Sequence, residues 1–151
     1  QAVAGETSPD AIYLPAGGRS LDAYARALSG VGAQLLGSSQ WTGQAVESNE
    51  ALRGAWFASP DPLRFEPFAR AFEDRTGQRG GIITGLAFDG VEMARLLGRT
   101  GEQSTRGLQR DKGFEGVLGP YKFDKSGICQ RGLAVLEVGN NRTTLISNVE
   151  L

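Results

Sequence analysis

The chain has 151 residues, within the roughly 100 to 200 of a single domain, so it can bury a substantial core but cannot hold two full-size domains. Apolar (40%) and charged (22%) contents are those of a globular protein, and a formal charge of -1 gives no broad positive footprint, so no nucleic-acid partner is expected. The single Cys129 excludes an internal disulfide and a cysteine-based zinc site, and the lack of histidine removes the commonest metal ligand and general base; we expect a non-enzymatic chain with no metal and no cofactor.

The 22 glycines are about double the usual share of roughly 7% and follow no fixed period, which predicts many tight turns and close backbone approaches. No apolar run of about 18 residues and no amino-terminal signal pattern occurs, so a soluble chain is expected, cytoplasmic, processed or trimmed.

After a polar lead-in over residues 1–9, Ala11 to Leu14 read as a buried strand running into Pro15-Ala16-Gly17-Gly18. Leu21, Tyr24, Ala25, Leu28 and Val31 follow at helical spacing, with Ser20 as candidate cap and Gly30 near the stop. Gln34 to Gly37 read as a second strand, Ser38 to Asn49 as a polar loop with a short helical turn, and Gly54 to Ser59 as a third strand. This β-α-β-loop-β order predicts a parallel sheet with right-handed crossovers.

Pro60-Asp61-Pro62 mark a boundary, followed by a helical stripe of Phe65, Phe68, Ala69 and Phe72 that stops at Gly77. Pro67 fits that helix only in its first turn. Leu86, Val91, Ala94 and Leu97 predict another helix, with Gly85 and Gly90 marking close packing against a neighbour. Residues 99–116 read as a loop with one helical turn at Ser104 to Gln109. Tyr121 to Phe123, a turn at Asp124 to Gly127, Leu133 to Val138, a hairpin turn at Gly139 to Asn141 and Thr143 to Ser147 then describe an antiparallel β-rich end.

Two segments carry candidate binding chemistry. Gly17, Gly18, Arg19 and Ser20 stand where a strand's carboxyl end meets a helix start, an edge that faces ligands in open α/β sheets and where free N–H groups favour anions; the plainer reading is a glycine turn with a surface arginine. Ser38, Ser39, Gln40 and Trp41 follow the second strand on the same edge and combine hydroxyls, an amide and an aromatic surface; the plainer reading is a polar loop with Trp41 as packing anchor. Neither segment has phosphate-loop or dinucleotide spacing. Cys129 reads as a small buried or half-buried residue, and Glu73-Asp74 beside Arg75 as a solvated helix face.

The ordered succession DAIYLPAGG, LDAYARALSGVG, QLLGSSQW, RGAWFASPDP, FEPFARAFEDRTGQ, GLAFDGVEMARLLGRTG and FEGVLGPYKFDKSGICQRGLAVLEV resembles the carboxy-terminal half of the type I periplasmic binding proteins. The most specific piece is Gly116 to Val138, with its G-x-x-G-x-x-x-F-D strand and turn. The similarity extends both to Leu/Ile/Val receptors of ABC importers and to the penicillin-binding-protein activator domain.

The resemblance implies an α/β fold: a parallel-sheet lobe of a two-lobed protein with an antiparallel β-rich end, residues 10–151 forming the second lobe and a helical piece near 62–98 packing toward a first lobe. It implies a periplasmic location, with signal or lipoprotein segment outside this sequence, and a small-molecule ligand such as an amino acid. The implied partner is an ABC permease or, in the regulatory alternative, a peptidoglycan synthase, with self-association of the isolated portion. It places Phe88 and Asp89 as a hinge-near aromatic and polar pair, where unaided reading makes Phe88 core and Asp89 a solvated helix-start charge. Amino-acid receptors of the family hold the ligand ammonium with a carboxylate where Ser39 and Gln40 stand here, and a neutral amide pairs poorly with a desolvated ammonium.

Overall fold

The computed structural model describes residues 8–148, so residues 1–7 of the expected lead-in lie outside the described residues. In chain order the elements are β1 (Ala11–Tyr13), α1 (Gly18–Ala27), β2 (Gln34–Gly37), three short 3-10 turns (Ser39–Trp41, Val46–Ser48, Glu50–Leu52), β3 (Trp56–Ser59), α2 (Pro62–Thr76), α3 (Ile82–Thr100), α4 (Thr105–Leu108), β4 (Tyr121–Phe123), β5 (Cys129–Arg131), β6 (Ala134–Val138) and β7 (Thr143–Asn148). They form two compact units. The first reaches to Ser59 and resumes over Ala134–Ser147; the second is built on Pro60–Leu133.

The first unit is organised by a five-stranded sheet of order β1-β2-β3-β6-β7. β1, β2 and β3 run parallel, as the β-α-β order predicts, and β6 joins β3 antiparallel with Phe57 opposite Leu136. Alternation sorts the side chains of β6: Ala134, Leu136 and Val138 are buried, while Val135 and Glu137 lie on the other face. The buried set meets Leu14, Leu21, Ala25, Trp41, Val46, Leu52 and Phe57 in one apolar core under α1 and the 3-10 turns. On the opposite face Tyr13, Leu36, Trp56 and Glu137 stand in one row across four strands, where the Trp56 indole N–H donates to Glu137 at 3.0 Å.

Several sequence expectations are corrected here. Ser20 is not the cap of α1, because the chain is already helical at Gly18; Gly17 caps it with no side-chain hydrogen bond, and the helix stops at Ala27, short of Val31. The antiparallel end is not one piece. β4 pairs β5 in a separate two-stranded sheet, a strand the sequence reading missed, whereas β6 and β7 belong to the main sheet. Cys129 opens β5 and is exposed rather than half-buried.

In the second unit, Asp61 caps α2 by accepting from the Leu63 N–H at 2.9 Å, Pro62 takes the first helical position, and Gly77 closes the helix at φ 71°. Pro67 is the sixth residue of α2 and not in its first turn. The missing N–H is tolerated in a helix that carries a tilted stack of Phe65, Phe68 and Phe72, extended by Phe88 of α3 at 4.9 Å from Phe68. Gly85 does mark a close approach: a Cβ there would lie 2.9 Å from Leu118 and 3.0 Å from Phe65. Gly90 does not, since nothing stands within 4 Å of its Cβ direction. Leu97, Phe114 and Tyr121 form the buried centre, flanked by Met93, Leu108 and Phe123.

Candidate functional site

Parallel pairing puts the carboxyl ends of β1, β2 and β3 at one sheet edge, so the loops that leave β1 and β2 share it. The loop after β2 turns at once because Ser38 Oγ accepts from the Gln40 N–H at 3.3 Å, starting the 3-10 turn that carries Trp41. Trp41 is 0% exposed, its ring lies 5.6 Å from Phe57, and its indole N–H donates to the Ala16 carbonyl at 3.0 Å. Gly37 makes this fit, since a Cβ there would fall 2.4 Å from the indole ring. Trp41 is therefore the anchor that ties one loop to the other, and the expected exposed stacking face does not form.

Gln44, which the sequence reading passed over, is a second tie. Its Oε1 accepts from the Gly18 N–H at 2.6 Å and its Nε2 donates to the Gln40 carbonyl. The N–H group of Gly18 that was expected to favour an anion is thus already engaged within the unit. Thr42 adds a third tie through its hydroxyl, 2.8 Å from that of Ser59. Gly18, Arg19, Ser20, Ser39 and Gln40 are exposed, and Gly17 and Ser38 half-buried. The edge so built presents hydroxyls, amides and one guanidinium, with no carboxylate in residues 14–20 or 38–46. Hydroxyls, amides and a guanidinium are suited to hydrogen-bonding polar neutral or anionic groups, and these two loops carry no anion to balance a buried ammonium.

Phe88 and Asp89 belong to the second unit. Phe88 is half exposed in the aromatic stack, not core, and Asp89 is not a solvated helix-start charge: it lies in the middle of α3 and is 3% exposed. Asp89 Oδ1 accepts from the Val117 N–H at 2.7 Å and Oδ2 from Arg131 Nη1 at 2.9 Å. Gly116 allows this approach, because its Cβ would meet Oδ2 at 2.4 Å. Arg131 also donates to the Gly119 carbonyl at 3.1 Å and lies over the Tyr121 ring at 4.5 Å, while the Tyr121 hydroxyl donates to the Asp89 carbonyl at 3.0 Å. The Ser126 hydroxyl and the N–H groups of Ile128 and Ser126 all donate to Asp124 Oδ1 and hold its carboxyl below the usual carboxylate range. The G-x-x-G-x-x-x-F-D stretch is thus a loop and strand wrapped around one buried carboxylate. Its counter-ion Arg131 was missed in the sequence, where it stands 42 residues from Asp89.

Burial, with the Asp89 carboxylate nearby, pushes the Tyr121 phenol from 10.0 up to about 12. A raised acid keeps its proton in the folded chain after the unfolded chain has lost it. The stabilising effect is whole below pH 10.0 and is lost as pH climbs through about 12. Alkaline denaturation followed by circular dichroism should show this loss, on the order of 2 kcal/mol, and Tyr121→Phe should flatten the slope over that window.

Among the described residues, no helix is long and apolar enough to cross a membrane and no group of three or more His, Cys, Asp or Glu side chains could hold a metal ion. No protein-family model and no characterised protein sequence matches the chain. Solved structures do. A putative branched-chain amino acid ABC transporter protein from Rhodospirillum rubrum aligns over 91% of this chain and 44% of its own, with TM-score 0.75 and 23% identity. The leucine-binding protein LivK from Thermotoga maritima aligns over 93% of this chain and 44% of its own, with TM-score 0.67 and 17% identity. The C-domain of LpoA from Haemophilus influenzae, a regulator of PBP1A, aligns over 91% of this chain and 45% of its own, with TM-score 0.64 and 16% identity. By name these neighbours are an ABC transporter protein, a leucine-binding protein and a regulator of PBP1A, and the chain spans less than half the length of each. With its mostly parallel main sheet and separate antiparallel pair, the chain has the fold of a type I periplasmic binding protein lobe.

Proposed function

We propose that the chain is the carboxy-terminal portion of a periplasmic solute receptor, which binds an amino acid or similar small polar molecule and presents it to an ABC-type importer. The observation that carries this reading is the alignment of more than nine-tenths of the chain with a leucine-binding protein and a branched-chain amino acid ABC transporter protein, with the loops at Gly17 to Ser20 and Ser38 to Gln40 at the carboxyl edge of the parallel strands. Such a receptor needs only a ligand with higher affinity for the closed form, and no covalent chemistry, so we read it as a non-enzyme. Titration calorimetry of the parent protein with amino acids and organic acids tests it: one saturating ligand is expected, and none across the panel would contradict it. Gln40→Glu should raise affinity for neutral amino acids by placing an anion opposite the ammonium; unchanged affinity for every amino acid would remove this loop from the site.

The same reading assigns the helical piece near 62–98 to a first lobe. In its favour, α3 exposes an apolar stripe in which Ile83 is 78% and Val91 58% accessible, with Leu86 and Ala94 beside them. A stripe on the order of several hundred Å² is one that monomers rarely leave bare. The isolated chain should therefore self-associate at high micromolar concentration in light scattering, and a strict monomer would contradict the assignment.

A second reading, a regulatory lipoprotein domain that binds a peptidoglycan synthase, is favoured by the lack of any carboxylate on the strand-edge loops. Co-purification of a synthase with the parent protein, with no small ligand retained, would select it.

A further inference from the structure

The second unit holds a cleft of about 410 Å³ that shares no residue with the strand-edge loops. Its apolar wall is Met93, Leu96, Phe114 and Tyr121, and its rim carries Arg99, Arg110 and Lys112 together with Glu92 and Glu115. Both carboxylates have cations of their own outside the cleft lining: Glu92 pairs with Arg95 at 2.8 Å and Glu115 with Arg64 at 3.7 Å. Among the described residues Arg99 and Lys112 have no acidic partner at ion-pair distance. The Arg110 guanidinium stands 5.6 Å from the centre of the Phe114 ring, and its Nη1, which makes no hydrogen bond, pairs with Glu102 outside the cleft lining at 3.8 Å.

A concave surface with an apolar wall and two cations that no carboxylate pairs suits an anionic head on a flat apolar body. We propose that this cleft binds a small organic anion of that kind, an aromatic carboxylate being its simplest member. The volume lies within the roughly 300–1,000 Å³ of small-molecule pockets. The carboxylate takes charge and hydrogen bonds from Arg99 and Lys112, with Arg110 at the same rim, and the ring lies against Met93 and Leu96.

Benzoate and its neutral isostere benzamide, titrated into the parent protein and followed by amide chemical shifts, test this. Saturable benzoate binding is expected, with shifts centred on Arg99, Arg110, Lys112 and Phe114, weaker at high salt and about tenfold tighter than benzamide. Arg99→Ser with Lys112→Ser alters two exposed side chains and should weaken benzoate about tenfold with the melting temperature unchanged. Equal binding of benzamide, an unaffected double variant, shifts confined to residues outside the cleft, or no saturation would each overturn the proposal. The receptor reading is tested separately, because its variants lie in the loops of the first unit.

Discussion

Asp89→Ala should destabilise the second unit by about 3–5 kcal/mol, the cost of leaving a buried cation without its counter-ion. Arg131 is only 15% exposed at the side chain, so water cannot replace the lost carboxylate, and the Val117 N–H group is orphaned by the same change. The loop from Gly116 to Gly119 would then lose the group it is wrapped around. Arg131→Ala should cost a similar amount for the opposite reason, a buried anion left unpaired. The double variant Asp89→Ala with Arg131→Ala should lose less than the sum of the two single changes, because the second removes the charge that the first leaves unpaired. Urea unfolding of the four proteins completes the cycle. Additive losses would show that the two side chains act independently, against the geometry found here.

Trp41→Ala should cost the first unit a comparable amount, about 3–5 kcal/mol for an aromatic side chain removed from a core that cannot fully collapse. The indole fills the space above Gly37, contacts Phe57 and satisfies the Ala16 carbonyl. Its loss also unties the two strand-edge loops, leaving Gln44 and the Thr42 to Ser59 contact to hold them. Trp41→Phe should recover most of the packing while leaving Ala16 unpaired, at a cost of about 1–3 kcal/mol. Thermal unfolding separates the two contributions. Near-equal losses for Ala and Phe would place the effect in the hydrogen bond, not the packing.

Much of the fold could be read from punctuation in the chain. Pro60-Asp61-Pro62 and Gly77 bound α2 for reasons local to the backbone, and the parallel β1 to β3 follow from the element order. β5 escaped because Cys129-Gln130-Arg131 is short and polar, with no apolar alternation to mark it. The sites were less legible. Asp89 looks like a helix-surface charge until the fold brings Val117 and Arg131 to it across 28 and 42 residues. Trp41 looks like a stacking face until Gly37 is seen to leave room for it inside. Gln44 stands in a polar loop like any other, and only its hydrogen bonds to Gly18 and Gln40 distinguish it. Periodicity reports which face of an element is apolar. It carries no information about which polar group, tens of residues away, completes a buried pair.

A small polar ligand held at the strand-edge loops should stay on the protein as it is isolated. Native mass spectrometry of the parent protein purified from its host tests this most directly. A bound organic molecule of low mass is expected, released when the protein is unfolded and lost or weakened when Ser39 and Gln40 are both replaced by alanine. A protein whose mass equals that of its polypeptide, with a peptidoglycan synthase retained in its place, would contradict it.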